Sequence, residues 1–95
     1  MFVVLLRFSA NKARAAEFMQ GHNDWIRQGF DDGVFLLAGS LQPGKGGTVI
    51  AHNTSLELLQ ARVDSDPFVV EDVVSPEILQ IEPARTDGKL AFLAA

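Results

Sequence analysis

The apolar positions of this chain follow two patterns, an unbroken run near the start and a longer segment in which they recur every three or four residues. Residues 2–6 are apolar throughout, which is typical of a short strand buried on both faces. Between about residues 12 and 28 the apolar side chains fall along one stripe, which predicts an amphipathic helix. That stripe consists of Ala15, Phe18, His22, Trp25 and Gly29. The polar run 31–33 ends in glycine and marks the end of the helix.

The rest of the chain predicts three more strands and two more helical segments. Thr54 followed three residues later by Glu57 matches a capping box, which predicts the start of a helix. In chain order the segments are a strand at 34–39, a glycine-rich turn at 43–47, a strand at 48–52 that pairs with the strand at 34–39 as a hairpin, a helix at 55–63, a helical turn at 67–73 and a strand at 77–82. The tail 84–95 either adds an edge strand or packs on a partner.

The resulting order of elements is β-α-β-β-α-β, which is the split pattern of a ferredoxin-like α+β sandwich. Two helices can cover only one face of such a sheet, yet the first strand is apolar on both faces. A second copy of the same sheet is the simplest cover for the remaining face. We therefore expect a single domain over residues 1–95, with its core in about 1–83, that forms a homodimer of the dimeric α+β barrel type.

Composition narrows the classes of partner. The chain has 95 residues, a net charge of −4 and eight dispersed basic residues, so it lacks the clustered Lys and Arg that nucleic-acid binding needs. It contains no cysteine, which excludes disulfides and thiolate chemistry and fits a cytoplasmic location. The apolar run at 2–6 is too short for a signal peptide or a membrane span. No cofactor motif is present, and two separated histidines do not indicate a metal site.

Two residues far apart in the chain could form a catalytic pair. Asp66 precedes Pro67, and because proline fits the first position of a helix, Asp66 falls at the N-cap. His22 lies on the apolar stripe of the first helix, and an imidazole is the side chain that exchanges protons near neutral pH. Each residue also has a structural interpretation, Asp66 as a cap alone and His22 as a core histidine bound to a backbone carbonyl. The residues by themselves leave both interpretations open.

Three further residues could contact a substrate. Arg7 ends the first strand on the side of Val3 and Leu5, where it could pair with a substrate carboxylate or phenolate, or only with solvent or an acidic neighbour. Gly39 follows the second strand and permits close backbone approach, and the Ser40 hydroxyl could bind a ligand oxygen. The alternative for Gly39 and Ser40 is a kink at the strand end with a solvated hydroxyl.

Together these residues resemble the YCII-related domain family, the YciI-like proteins. The segments that carry the resemblance are His22, Leu37-Ala38-Gly39, Thr48-Val49-Ile50 and Asp64-Ser65-Asp66-Pro67-Phe68. The resemblance covers roughly residues 1–83 and leaves the tail outside. It implies a dimeric ferredoxin-like fold whose pocket holds a His–Asp pair, here His22 and Asp66, with Pro67 and Phe68 beside the substrate.

The function that this resemblance implies is that of a small-molecule enzyme of unassigned substrate. Most of the family has no assigned activity, and a few members are enzymes, including a lyase-type dehydrochlorinase that acts on a hydroxylated aromatic. We expect His22 to move a proton on a small aromatic or carbonyl compound and Asp66 to fix its tautomer, without a cofactor. Two alternatives stay open: a non-catalytic ligand-binding or assembly module, and a haem- and flavin-free oxygenase that shares the fold but not the Asp66-Pro67-Phe68 element.

Overall fold

A computed structural model describes residues 1–94 as a four-stranded sheet with helices packed against it. In chain order the elements are β1 (Phe2–Phe8), a 3-10 turn (Lys12–Arg14), α1 (Ala15–Asp31), β2 (Phe35–Leu41), β3 (Gly46–Ala51), α2 (Leu56–Asp64), α3 (Pro67–Val70), β4 (Val74–Gln80) and a C-terminal 3-10 segment (Gly88–Ala94). Helix α1 connects the first two strands, and α2 and α3 connect the last two.

The sheet has the strand order β2-β3-β1-β4, and every neighbouring pair is antiparallel. This confirms the predicted ferredoxin-like α+β fold. The central position of β1 explains its unbroken apolar run, because side chains alternate between the two faces of a strand. Phe2, Val4 and Leu6 are buried on one face, and Val3 and Leu5 lie on the other.

Helix α1 begins and ends later than the sequence predicted. Residues 12–14 form a 3-10 turn, and the α-helix runs from Ala15 to Asp31. Gly33 then adopts a left-handed conformation with φ of 73°, which ends the helix as the polar run indicated. At Gly29 an added Cβ would overlap the ring of Phe35, so glycine is required for α1 to approach β2 this closely.

The two shorter helices each begin at a side-chain cap. Ser55 caps α2, and its Oγ accepts a hydrogen bond from the Leu58 amide at 3.1 Å. The predicted capping box is therefore wrong by one residue, since Thr54 precedes the cap. Asp66 caps α3 as predicted, with Pro67 at the start of the helix, and α3 ends after four residues instead of continuing to residue 73.

The edges of the sheet and the tail depart most from the prediction. β4 begins at Val74 and contains Pro76, which is tolerated because β4 is an edge strand. In the tail, residues 88–94 form a 3-10 segment, so an edge strand there is wrong. The Phe92 ring meets the His52 ring edge-on, with their centroids 5.6 Å apart. This contact places the tail beside the end of β3.

The two faces of the sheet differ in cover. The face toward the helices holds the core, whose completely buried hydrophobic residues include Val4, Val49, Leu59, Val63 and Val73. On the opposite face the registers align Val3, Leu5, Leu37, Ile50 and Leu79. Leu37 and Leu79 are exposed there. The face-to-face homodimer that would cover this surface stays a prediction.

None of the helices in the described part of the chain is long and apolar enough to cross a membrane. The cytoplasmic location stays a prediction.

Candidate active site

One end of the helix–sheet interface contains a cavity of about 340 Å³, a volume within the range of small-ligand sites. It forms because the side chains that β2 and β3 direct toward α1 are small at this end. Ala38 pairs with Val49 across the two strands, and Ser40 pairs with Gly47, so few atoms fill the space below the helix. The cavity is lined by Leu6, Phe8, Met19, His22, Asn23, Ile26, Ala38, Gly39, Ser40, Gly46, Gly47, Thr48, Val49, Phe68 and Val74.

Helix α1 forms one wall of the cavity with a single face. Met19, His22, Asn23 and Ile26 all line it, and each lies three or four residues from another of the set, the separation of neighbours on a helix surface. His22 also lies three residues before Trp25, which is buried in the core. The His22 ring therefore lies at the boundary between the core and the cavity.

The cavity is apolar at depth and polar at its open side. Its inner wall consists of the buried residues Leu6, Val49, Phe68 and Val74. Asn23 and Ser40 line the same cavity and are exposed, so their polar groups lie near solvent. In the described lining His22 is the one ionisable side chain. Within residues 1–94 no three His, Asp or Glu side chains cluster as metal ligands would.

Asp66 and His22 meet behind the cavity wall. As the cap of α3, Asp66 accepts the backbone N–H of Phe68 on its Oδ1 at 3.0 Å. The same Oδ1 lies 2.8 Å from Nδ1 of His22. Asp66 is completely buried and the His22 side chain is 13% exposed, so water competes little for this hydrogen bond. The two groups lie within the hydrogen-bond distance that the sequence predicted.

The second carboxylate oxygen of Asp66, Oδ2, is buried and has no hydrogen-bond partner among residues 1–94. A buried polar atom without a partner is costly, and more so when the group is charged. The hydrogen bonds that offset the burial of this carboxylate are therefore those at Oδ1, from the Phe68 amide and the His22 ring. A ring with protons on both nitrogens would complete a buried ion pair with Asp66.

Aromatic neighbours fix the plane of the imidazole. Phe68 stacks on His22 with the ring centroids 3.9 Å apart and the planes within 2° of parallel. The Trp25 ring lies 5.9 Å from the His22 ring, and its Nε1–H donates to the backbone carbonyl of Arg62 at 2.8 Å. Because one edge of the imidazole is bound to Asp66 and one face is stacked, the ring is held in one orientation.

This orientation determines which nitrogen can act on a ligand. When Nδ1–H donates to the Asp66 carboxylate, Nε2 carries a free lone pair. Asp66 binds Nδ1, so Nε2 is the nitrogen that stays free on this cavity-lining residue. A lone pair beside an apolar cavity is suited to take a proton from a small molecule held there.

The structure brings most of the other predicted site residues to the cavity. Gly39, Ser40 and Phe68 line it. Pro67 does not; its ring packs on α1, where a Cβ added at Gly21 would lie 3.1 Å from the proline Cγ. Pro67 therefore helps to hold α3 against α1, which keeps Asp66 near His22.

Arg7 was expected to contact the substrate, but it lies outside the cavity. The sequence placed its side chain on the face of Val3 and Leu5, and the structure agrees. The cavity, however, lies on the other face of the sheet. On the face of Val3 and Leu5, Arg7 Nη1 donates to Oε1 of Glu77 at 2.6 Å, and both side chains are about half exposed. Alternation along β1 therefore keeps Arg7 away from the cavity.

Three lining residues of α1 were not predicted as site residues: Met19, Asn23 and Ile26. The signal was present, because Met19 and Ile26 lie three and four residues from His22, and Asn23 lies four residues from Met19. What the helix pattern could not supply was the position of the cavity, which depends on how β2 pairs with β3.

Comparison with known proteins supports the same fold. A model of the YCII-related domain matches residues 1–82. No curated protein sequence matches the chain. Among solved structures the chain is similar to 5-chloro-2-hydroxyhydroquinone dehydrochlorinase (TftG) from Burkholderia phenoliruptrix AC1100, in complex with 2,5-dihydroxybenzoquinone. The TM-score is 0.68 at 13% sequence identity, and the match covers 95% of this chain and 98% of that chain. At this identity the likeness supports the fold alone.

Proposed function

Because the chain belongs to the YCII-related domain family, we propose that it is a small-molecule enzyme that performs lyase-type acid–base chemistry in the cavity beside His22. The observation that carries this proposal is the 2.8 Å hydrogen bond from Nδ1 of His22 to the buried Asp66 carboxylate. That bond leaves Nε2 free on the cavity side. The substrate is a small aromatic or carbonyl compound, in keeping with the apolar inner wall.

Asp66 acts on the substrate through His22 in this proposal. By accepting Nδ1–H, it holds the tautomer whose lone pair is on Nε2, and its charge stabilises the imidazolium that forms when Nε2 takes a proton. The Phe68 amide anchors the same Oδ1, so the carboxylate is kept from turning away from the ring. His22 first acts as a general base, and the proton it gains can return to the product as a general acid.

The structural neighbour suggests the class of reaction. That protein is a dehydrochlorinase, and its structure holds a dihydroxybenzoquinone. In the corresponding step here, Nε2 takes a proton from an O–H or C–H bond of the substrate. The electron pair of that bond forms a new double bond, and the leaving group departs with the electrons of its own bond. The step needs neither an oxidant nor a reductant.

The size of the cavity agrees with a substituted ring. An apolar cavity of roughly 150 Å³ is enough to hold benzene. The cavity here measures about 340 Å³, so a six-membered ring with several substituents would fit.

A homodimer formed through the uncovered face of the sheet is part of the proposal. Its support is the apolar surface that all four strands share on that face, at Val3, Leu5, Leu37, Ile50 and Leu79. Sedimentation at micromolar concentration tests it, and a monomer under those conditions would contradict it.

A non-catalytic ligand-binding module is the second candidate function. The observation that favours it is that the described lining contains a single ionisable side chain, whereas acid–base enzymes commonly combine two. In this case the protein would bind its ligand in the same cavity and release it unchanged.

Chloride release from 5-chloro-2-hydroxyhydroquinone, measured with the Asp66→Asn and His22→Gln variants, tests the proposal. Asn caps a helix about as well as Asp, so thermal melts of Asp66→Asn should stay near those of the parent protein. Turnover should nevertheless fall about 100-fold or more in both variants, because general acid–base catalysis contributes about that much. His52→Gln is the matched control, since His52 contacts Phe92 and not the cavity.

The results separate the two candidates. Binding of the compound without chloride release in the parent protein would favour the binding module. Turnover that survives unchanged in Asp66→Asn and His22→Gln would contradict the His–Asp proposal.

A further inference from the structure

We propose that Asn23 and Ser40 form an oxygen-recognition site in the cavity, and that the substrate is an uncharged ring with two oxygen substituents. One oxygen would lie at His22 and the other between Asn23 and Ser40. This inference rests on the proposed function, because that function assigns the proton transfer to His22.

The charges around the cavity disfavour an anionic ligand. The Asp66 carboxylate lies directly behind the His22 ring, and the described lining contains neither Lys nor Arg. Arg7, the cation expected to hold an anionic group, is bound to Glu77 on the other face of the sheet. A carboxylate or phosphate entering the cavity would therefore lose hydration without gaining a fixed positive partner. A neutral molecule does not carry that cost.

The distribution of polarity fixes how such a molecule would lie. The buried inner wall is hydrocarbon, so it would take the apolar edge of a ring. Asn23 and Ser40 are exposed and line the open side, and His22 lies at the boundary with the core. Oxygen substituents on the ring would thus point toward the open side, where hydrogen-bonding groups are present.

The Asn23 amide and the Ser40 hydroxyl have no hydrogen-bond partner among residues 1–94, unlike the Asn11 amide and the Ser65 hydroxyl. The Asn11 amide donates to the Glu71 carbonyl at 2.9 Å, and the Ser65 hydroxyl donates to a backbone carbonyl at 2.7 Å. Those side chains tie loops and helix ends together. Asn23 and Ser40 tie no loop or helix end to another element, so their hydrogen-bonding groups are available to a ligand.

Asn23 and Ser40 also come from different elements. Asn23 follows His22 on α1, and Ser40 lies on β2 at a position paired with Gly47. Because glycine occupies the paired position, no side chain of β3 stands beside the Ser40 hydroxyl at that register. A ligand oxygen in the cavity could accept hydrogen bonds from the helix wall and from the sheet wall together.

These two donors match the charge that develops in the proton transfer. When Nε2 takes a hydroxyl proton, the O–H bond breaks, an N–H bond forms, and the electron pair stays on the substrate. Where the second oxygen is a carbonyl conjugated with that hydroxyl, as in a hydroxyquinone, this charge is shared with the carbonyl oxygen. The Asn23 Nδ2–H and the Ser40 O–H would donate to that oxygen, which is how neutral dipoles stabilise a developing oxyanion.

Binding of three ring compounds, followed by NMR at the His22 ring protons, tests the inference. The compounds are hydroquinone with two oxygens, phenol with one, and benzoate with a negative charge. The parent protein should bind hydroquinone more tightly than phenol, and benzoate most weakly. In Asn23→Leu and Ser40→Ala the advantage of hydroquinone over phenol should shrink by about five- to tenfold, the value of one hydrogen bond.

Gln20→Leu is the matched control, because it removes an exposed amide from the same helix at a position outside the cavity lining. Leucine is a better helix former than asparagine, so Asn23→Leu should remain folded. An unchanged ratio of hydroquinone to phenol affinity in both cavity variants would overturn the inference and leave the His–Asp proposal standing. Benzoate binding as tight as that of hydroquinone, or no binding of either phenol, would overturn the substrate class.

Discussion

The helix–sheet interface has a filled half and a hollow half, and the same elements form both. In the filled half, Phe35 of β2 packs edge-on against Trp25 of α1, with ring centroids 5.1 Å apart. In the hollow half, a few residues further along β2, Ala38 and Ser40 face the same helix and leave a cavity of about 340 Å³. A bulge between Phe35 and Leu37 turns Ala38 and Ser40 to the face that carries Phe35, and β2 and β3 are paired on both sides of it, so the two halves differ in side-chain size.

We expect the filled half to determine the stability of the fold and the hollow half to determine ligand binding. The Trp25–Phe35 ring contact and the close helix approach at Gly29 belong to the filled half, where burial stabilises the fold. The unpaired polar groups Asn23 and Ser40 belong to the hollow half, and His22 lies where the two meet. Substitutions in the filled half should therefore change unfolding free energy, and those in the hollow half should change binding.

The largest effect is expected from emptying the filled half. Phe35→Ala removes a buried ring that contacts Trp25, and such truncations cost about 3–5 kcal/mol of unfolding free energy. Urea unfolding measures the loss. Phe30→Ala is the matched control, since that ring is 42% exposed and should cost clearly less. Equal losses in the two variants would contradict the division into halves.

Adding an atom to the already packed filled half should lower the free energy of unfolding by less. Gly29→Ala places a methyl group against the Phe35 ring, and overpacking of this kind costs about 1–3 kcal/mol. Alanine regains about 1 kcal/mol of helix propensity, so a net loss of up to about 2 kcal/mol is expected in urea unfolding. At Gly21 the nearest atom lies 3.1 Å from the added Cβ, on the flexible Pro67 ring, so Gly21→Ala should be milder.

Filling the hollow half should leave stability almost unchanged and remove binding. Ala38→Leu adds carbon atoms where the cavity has space, so unfolding free energy should stay within about 0.5 kcal/mol of the parent. NMR titration with hydroquinone should show loss of binding. Ala16→Leu adds the same atoms to an exposed position of α1 outside the cavity and should keep binding. Full binding by Ala38→Leu would show that this cavity is not the ligand site.

The smallest effect concerns an ion pair at the surface of the filled half. Hydrogen bonds from Arg62 and Gln28 lower the pKa of Asp32 below its usual value of 3.8. A carboxyl whose pKa is lowered on folding stabilises the protein above its unfolded pKa, and the contribution is lost as pH falls through the folded pKa. The small gap in melting temperature between the parent and Asp32→Asn should therefore close as the pH falls below 3.8 and through the lowered pKa of Asp32. A gap that persists there would contradict this account.

The sequence predicted the parts of the site that depend on local rules. Proline at position 67 fixes the start of α3, so Asp66 could be identified as its cap without knowledge of the fold. The three- and four-residue spacing placed His22 on the same stripe as Trp25. Their convergence across 44 positions followed from the resemblance to a family, because no local pattern relates the two segments.

The cavity could not be predicted because it depends on pairing between strands. Ala38 and Gly47 are unremarkable in sequence, and they create space only when the hairpin register sets them below α1. For the same reason the sequence could not show that Arg7 lies outside this cavity. Alternation gives the face of a strand on which a side chain lies, but it does not tell which face carries the cavity.

Oδ1 of Asp66 serves two donors at once, the ring of His22 and the backbone amide of Phe68. A single oxygen atom therefore links the imidazole of His22 to the first turn of α3. The amide proton of Phe68 becomes an internal reporter, because its NMR frequency and its exchange with deuterium follow the electron density on that oxygen. Events in the cavity can thus be observed at a peptide bond that never touches the ligand through its N–H.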